Sequence, residues 1–278
     1  AKQMLSYGWK VLLTTVVYTV EGDLRSLIVG KQFGSADLAY YDQGKKFPNL
    51  LVSNINTSIS NVMFPVLSKN QDNRERMKAI CRRSIKTSTY LLAPLLLGLI
   101  AVSNEFVRVI LSDKWLPCVP FLQILTLVYL VRPLTTTDQQ AIMSTGRSDL
   151  TLRIMIAVNV TDVILLLIAV FAMKSVIMIA VGALLTEVVS MALFMKYVKK
   201  CIGYTYLEQL SDIAPSLLLA ISMGVIVYLV GKINVNVIIV LFLQVVVGAG
   251  YYLAMSCILH FEPFIYLVKM LKEKFGNA

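Results

Sequence analysis

The stretches IAPSLLLAISMGVIVYLV (Ile213–Val230) and VNVIIVLFLQVVVGAGYYLAMSCIL (Val235–Leu259) carry no charged residue and are joined only by GKIN. A helix rises 1.5 Å per residue, so about 20 apolar residues cross a hydrocarbon core of about 30 Å. Two such runs with so short a link predict a pair of antiparallel membrane-spanning helices. Working outward, comparable runs occur at Met4–Gly30, Asn49–Ser68, Lys86–Val102, Pro117–Thr145, Leu150–Met173 and Ser175–Tyr197. The second of these has an amphipathic lead-in from Ala36, and NEFVRVILSDKW, ending at Trp115, reads as a short interfacial stretch. The expected fold is therefore an all-α integral membrane protein of about eight transmembrane helices. Composition agrees: of 278 residues, 57% are hydrophobic and 15% charged, against about 45–50% and about 25% in ordinary globular domains. The mean hydropathy is +0.73.

The net charge of +10 does not point to nucleic acid, because the bases cluster between the apolar runs. The segment KNQDNRERMKAICRRSIK (Lys69–Lys86) holds seven of them, Arg147 and Arg153 flank the next loop on that side, and Lys196, Lys199 and Lys200 follow. The tail adds Lys269, Lys272 and Lys274, whereas opposite loops carry little more than Arg108, Lys114, Lys174 and Lys232. The positive-inside rule makes the basic side cytoplasmic and leaves both termini of this chain inside. Residues 261–275 place Phe264, Leu267, Val268, Leu271 and Phe275 on one face, as expected of a helix lying on the membrane. Lys69–Lys86 is read as a loop, with a similar interfacial helix as the alternative. The chain opens AKQMLSYGWK, with neither an initiating Met nor a cleavable signal pattern, and reads as a processed or partial chain.

Charged and polar residues within the spans are the functional candidates, since a charge in mid-bilayer costs about 3 kcal/mol and usually faces protein or a watery cavity. Thr14, Tyr18, Glu21 and Arg25 form one helical stripe in the first span, with Asp23 nearby. Asn49, Ser53, Asn56, Thr57 and Ser60 form one wet face in the second, which suits a cavity better than lipid. Arg132 sits inside LQILTLVYLVRPLTTTDQQAIM just before Pro133, sharing a face with Thr136 and Gln139 and bordered by Gln140 and Met143. A bidentate, always-charged guanidinium suits a phosphate, and proline can kink a span. The alternative for Arg132 is structural pairing with Glu21, Asp138 or Asp162. Asp162 and Glu187, mid-span in their helices, are candidates for ion coupling, along with Glu21, or else for satisfying neighbouring polar groups.

Other chemistry is missing from the sequence. Cys81, Cys118, Cys201 and Cys257 are scattered without CxxC spacing, and His260 is the only histidine, so no metal site and no disulfide framework is expected. There is no GxxxxGK[ST], HExxH or GxSxG, hence no expected cofactor and no enzyme signature. Gly248-Ala249-Gly250 lies among apolar residues and reads as close helix packing.

The stretch IVGKQFGSADLAYYDQGKKFPNLLVSNINTSISNVMFPVLSKNQD (Ile28–Asp72) resembles the C-terminal half of the polysaccharide transporter family of oligosaccharide flippases, within the multidrug/oligosaccharidyl-lipid/polysaccharide exporter superfamily. Gly34, Leu38, Tyr40, Tyr41, Phe64, Pro65 and Ser68 carry the likeness. A second block does so through Trp115, Pro117, Pro120, Phe121, Leu122, Gly146 and Asp149. Ala39 and Ser112 stand where the family commonly has glycine. The resemblance implies a second six-helix lobe over residues 1–200, two additional helices and a tail over 201–278, and a missing N-terminal lobe of the same protein. It implies transfer of undecaprenyl-pyrophosphate-linked oligosaccharide across the bacterial inner membrane by alternating access through a cationic cavity, with membrane lipids and polysaccharide polymerase machinery as partners. On that footing Arg132 and Arg25, with Lys45 or Lys46, attract pyrophosphate. Asn49, Ser53, Asn56, Ser60 and Gln139 meet sugar hydroxyls, while Tyr18 and Tyr129 stack on sugar rings. A cation-coupled multidrug exporter and a membrane-embedded polysaccharide polymerase are the alternatives.

Overall fold

The computed structural model describes residues 24–233 and 235–275, all in helices and short connections with no strand among them. Residues 24–32 are helical (α1). They are followed by α2 (Ser35–Ser68), α3 (Arg74–Ala101), the short α4 (Ser103–Ile110), a 3₁₀ turn (Asp113–Cys118) and α5 (Val119–Ser144). Then come α6 (Ser148–Leu167), extended by a π turn (Ile168–Ala172), α7 (Val176–Ile202), α8 (Tyr206–Val230), α9 (Val237–Ile258) and α10 (Glu262–Phe275). Seven of these elements are long and apolar enough to cross a membrane: α2, α3, α5 with its 3₁₀ lead, α6 with its π turn, α7, α8 and α9. The eighth expected span, Met4–Gly30, lies mostly outside the described residues, and so do Tyr18 and Glu21. Outer faces bear Ile156, Val160 and Ile164 on α6 and Ile238, Phe242 and Val246 on α9, all exposed, as lipid-facing surfaces require.

Three boundaries differ from the sequence expectation. The lead-in from Ala36 and the span from Asn49 are one helix, α2, about 51 Å long at 1.5 Å per residue and so longer than the hydrocarbon core. Pro48 and Pro65 are absorbed within it. Lys69–Lys86 is neither a loop nor an interfacial helix: from Arg74 onward it is the first part of α3, started by Asn73, whose side chain accepts from the Arg76 N–H at 3.0 Å. Finally, α8 begins at Tyr206, well before Ile213, because Thr205 and Glu208 form a capping box.

The last two differences have one cause. Charges that hydropathy assigns to a loop are neutralised in the fold. Arg82 of α3 makes a two-pronged bond to Asp212 of α8 at 2.7 and 2.8 Å, and Lys78 reaches Glu208 at 2.7 Å. Lys86 reaches Glu262 at the start of α10 at 2.7 Å, and the Tyr204 hydroxyl donates to Asp212 at 2.7 Å. This ladder ties α8 and α10 to α3. At the same end of the bundle, a small pocket of about 190 Å³ gathers Arg74, Arg147 and Lys200 from three separate helix ends.

The core is organised by α5, which packs along α2, α3 and α7. Helices α2 and α5 approach most closely at Gly44, where a Cβ would fall 2.7 Å from the Leu122 amide nitrogen and 2.7 Å from Phe121 Cβ. Of the Gly248-Ala249-Gly250 trio, Gly248 abuts α8, with a Cβ there 2.9 Å from Val227 Cγ2, while Gly250 meets nothing within 4 Å. Ser112, at the start of the 3₁₀ turn, has φ 84° and ψ 165°, a conformation that strongly favours glycine. This gives a physical reason for the glycine common at that position.

Two outcomes follow for thermal unfolding of the purified protein in detergent. Gly44→Ala should lose about 1–3 kcal/mol, because backbone must give way, while Gly250→Ala should leave the melting temperature unchanged. Ser112→Gly should raise it, by the equivalent of about 1 kcal/mol.

Candidate functional site

The helical period puts Asn56, Thr57 and Ser60 of α2 on the side facing α5 and α7. There they enclose a cavity of about 400 Å³ together with Arg132, Thr135, Thr136, Gln139 and Gln140 of α5. Met155 and Val158 of α6, and Ala183, Thr186, Glu187, Ser190 and Phe194 of α7, complete the wall with Val128, and Arg25 of α1 reaches in. That volume lies within the range of small-molecule sites, roughly 300–1,000 Å³. The lining is unusual for one between apolar helices: two guanidinium groups, one carboxylate, and a series of hydroxyls and carboxamides.

Each charge has a defined setting. Arg25 pairs with Asp162 of α6, whose Oδ1 also accepts from the Thr186 hydroxyl at 2.9 Å. The Tyr41 hydroxyl adjoins the same guanidinium. Arg132 lies over the ring of Tyr129 with its Cζ 4.5 Å from the centroid, a cation–π contact one turn up the same helix. Tyr129 itself is only 3% exposed and supports Arg132 from within the core. Glu187 accepts from the Thr135 hydroxyl at 3.1 Å, and the same hydroxyl bonds the Arg132 carbonyl at 2.9 Å. Thus one threonine links the backbone of the cationic residue to the anionic one. The Thr137 hydroxyl bonds the Pro133 carbonyl at 2.9 Å, and α5 continues as helix through Pro133. Asn56 Oδ1 is buried with no hydrogen-bond partner among the described residues, which leaves an acceptor for whatever fills the cavity.

Of the residues singled out by sequence, Arg25, Arg132, Asn56, Ser60, Gln139 and Glu187 meet in this one cavity, and Asp162 stands directly behind Arg25. Lys45, Lys46, Asn49 and Ser53 are on the same helix as Asn56 but do not line it: Lys46 and Asn49 are exposed and Lys45 and Ser53 half-buried. Lys45 sits roughly 16 Å from Asn56 along the axis. The Ser53 carbonyl accepts from the Thr57 hydroxyl at 2.8 Å. Sequence reasoning passed over Thr135, Thr186 and Ser190. The signal available was the stripe Ala183, Thr186, Glu187, Ser190, small or polar residues at helical spacing in an otherwise apolar span. Among the described residues no group of three or more His, Cys, Asp or Glu is placed to hold a metal ion.

Residues 1–120 match the protein family described as polysaccharide biosynthesis protein. The chain is 28% identical over 153 residues to the teichuronic acid biosynthesis protein TuaB of Bacillus subtilis (strain 168), covering 54% of this chain and 31% of that one. It is 23% identical over 233 residues to the lipopolysaccharide biosynthesis protein WzxC of Escherichia coli (strain K12), covering 80% and 46%. In fold it is similar to the lipid II flippase MurJ in its inward closed conformation, with TM-score 0.74 over 89% of this chain and 52% of that one at 19% identity. Sequence and fold together support the polysaccharide transporter and flippase family. The chain spans less than half the length of the curated relatives it matches. It is a multi-pass membrane protein, and it is 25% identical over 101 residues to a relative named as the succinoglycan biosynthesis transport protein ExoT of Rhizobium meliloti (strain 1021), covering 36% of this chain and 20% of that one.

The Arg25–Asp162 pair should behave as a coupled unit. Asp162→Leu should destabilise the protein by about 3–5 kcal/mol, because it leaves a guanidinium without its carboxylate among apolar helices. Arg25→Met combined with Asp162→Leu should recover much of that loss. Thermal melts of the two single variants and the double variant in detergent check this, and additivity of the singles would show the pair to be uncoupled.

Proposed function

We propose that this chain is one part of a transporter that carries undecaprenyl-pyrophosphate-linked oligosaccharide across the bacterial inner membrane. In this reading residues 1–200 form one six-helix lobe and 201–278 two further helices with a tail. The other lobe of the same protein supplies the opposite wall of a path that opens alternately to each side. The protein does not alter its cargo covalently. The observation that carries the reading is the pairing of Arg132 and Arg25 with a wall of hydroxyls and carboxamides in a cavity between apolar helices. A lipid-linked sugar phosphate has the matching parts: an anion for a guanidinium, hydroxyls for Asn56, Ser60, Thr136 and Gln139, and a tail that remains in lipid. Similarity to proteins named for teichuronic acid and lipopolysaccharide biosynthesis, and to the fold of a lipid II flippase, supports the same class of cargo.

Arg132 and Arg25 are the anchors in this scheme, Arg132 held over the ring of Tyr129 and Arg25 against Asp162. The basic ends gathered around Arg74, Arg147 and Lys200 favour a cytoplasmic location for that end, and with it both termini of this chain. Glu187, on the cavity wall, is the one observation in favour of the second reading, a cation-coupled drug exporter.

The deciding experiment is made with the full-length gene in its native host. On its deletion, complete lipid-linked repeat units should accumulate on the cytoplasmic leaflet and surface polysaccharide should disappear. Complete units reaching the outer leaflet but remaining unpolymerised would instead indicate a polymerase. No change in either would move the drug exporter to the front. Within that assay Arg132→Ala should slow transfer about tenfold or more, the effect of losing a charge-assisted hydrogen bond of about 1.5–3 kcal/mol, and Arg132→Lys should retain part of it. Normal export by the alanine variant would remove Arg132 from the mechanism.

A further inference from the structure

One fully buried acidic residue takes no part in the cavity or in the ion-pair ladder. Asp138 lies on α5, near its C-terminal end, and is 0% exposed. Against it lies the carboxamide of Gln209 from the first turn of α8, also 0% exposed. Both carboxyl oxygens of Asp138 and both Nε2 and Oε1 of Gln209 are buried with no hydrogen-bond partner among the described residues. Those four atoms are complementary under one condition only. A carboxylic acid donates from its O–H to the amide oxygen and accepts from the amide N–H, closing two hydrogen bonds. A carboxylate accepts from the N–H alone and sets its second oxygen against Oε1, with no donor for either.

Among the described residues, no positive charge is placed to stand in for the proton. The titratable groups facing Asp138 are Cys81 from α3 and Tyr204 from the α7–α8 turn, neither of them cationic. Arg82 is held at one remove, in a two-pronged bond to Asp212, and Tyr204 donates to that same carboxylate. Asp212 lies one turn beyond Gln209, so the ladder that fixes α8 to α3 also fixes the carboxamide in place. We infer that Asp138 of α5 and Gln209 of α8 form an enclosed proton-binding site, with Asp138 protonated in this conformation. Release of the proton places an uncompensated carboxylate among buried groups. The proton is the fitting ligand because the site is fully enclosed and needs no coordination shell to hold it.

The test is infrared difference spectroscopy on the whole protein reconstituted in lipid vesicles at neutral pH. A C=O stretch of a protonated carboxyl should be present in the wild type and missing from Asp138→Asn. It should move to higher frequency in Gln209→Leu, which leaves the acid intact but takes away its partner. Asp138→Asn should melt at the wild-type temperature, since a neutral carboxamide makes the same pair with Gln209. The inference is overturned if no protonated-carboxyl band is lost in Asp138→Asn, if Gln209→Leu leaves the band in place, or if Asp138→Asn melts well below the wild type. None of these readouts depends on what the protein transports.

Discussion

Hydrocarbon offers no hydrogen bonds and no counter-ions, so every polar group placed between these helices must find its partner inside the protein. The pair formed by Arg25 and Asp162 illustrates how far that constraint reaches. An arginine near the first described residue and an aspartate 137 positions later become one unit, with Thr186 as a third member. Because Asp162 is on α6 and Thr186 on α7, satisfying the arginine also fixes how α1, α6 and α7 stand around the cavity. The cavity then follows as a consequence of the pairing: the helices that hold the charges apart from lipid are those that wall in the polar space between them.

The same constraint acts at the basic end in a different way. There the groups are close enough to water to be tolerated singly, and isolated surface pairs contribute little to stability. What the ladder of Lys78, Arg82 and Lys86 against Glu208, Asp212 and Glu262 supplies is position. Asp212 is nearly enclosed and is bonded by both Arg82 and Tyr204, so the start of α8 is held in register against α3. Lys86 continues the contact to α10. Helix α8 is thereby tied to α3 by directional bonds at one end and by apolar contact, such as Met223 against Gly98, elsewhere, and α9 packs in turn on α8 through Gly248 against Val227.

The spans were legible because apolar runs report burial in lipid directly, and the basic clusters reported the ends. Helical period was enough to put Asn56, Ser60 and Gln139 on cavity-facing sides. It gave direction around an axis but not depth along it, which is why Asn49 and Ser53 share the stripe with Asn56 yet lie outside the enclosed space. The early start of α3 was hidden for a related reason. Window hydropathy counts Arg74 through Lys86 as a solvated loop, and the acids that let those residues remain helical are 130 positions away. Charge pattern alone offers acids as partners for Arg132 and gives no hint of the ring of Tyr129 over which it lies, an interaction carried by residue type and not by charge. Ser112 shows the opposite case: a departure from a common glycine, noticed in the sequence without a reason, acquires one in a backbone at φ 84°.

In the proposed reading, the placement of Arg132 also constrains how the cavity holds an anion and still releases it. The guanidinium of Arg25 is held by a carboxylate and that of Arg132 lies over an aromatic face, so the orientation of each is restrained. Thr135 adds a second restraint through the Arg132 carbonyl and joins it to Glu187 across the α5–α7 contact. A shift of α7 relative to α5 would therefore change the distance between the one cation oriented over an aromatic ring and the one carboxylate on the cavity wall. Bringing them together weakens the hold on an anion, and separating them strengthens it. In the proposed transport reading, alternating access requires such a difference in affinity between states, since a ligand shifts a conformational equilibrium only by its differential binding. The α5–α7 contact is where the cavity has the parts to provide it.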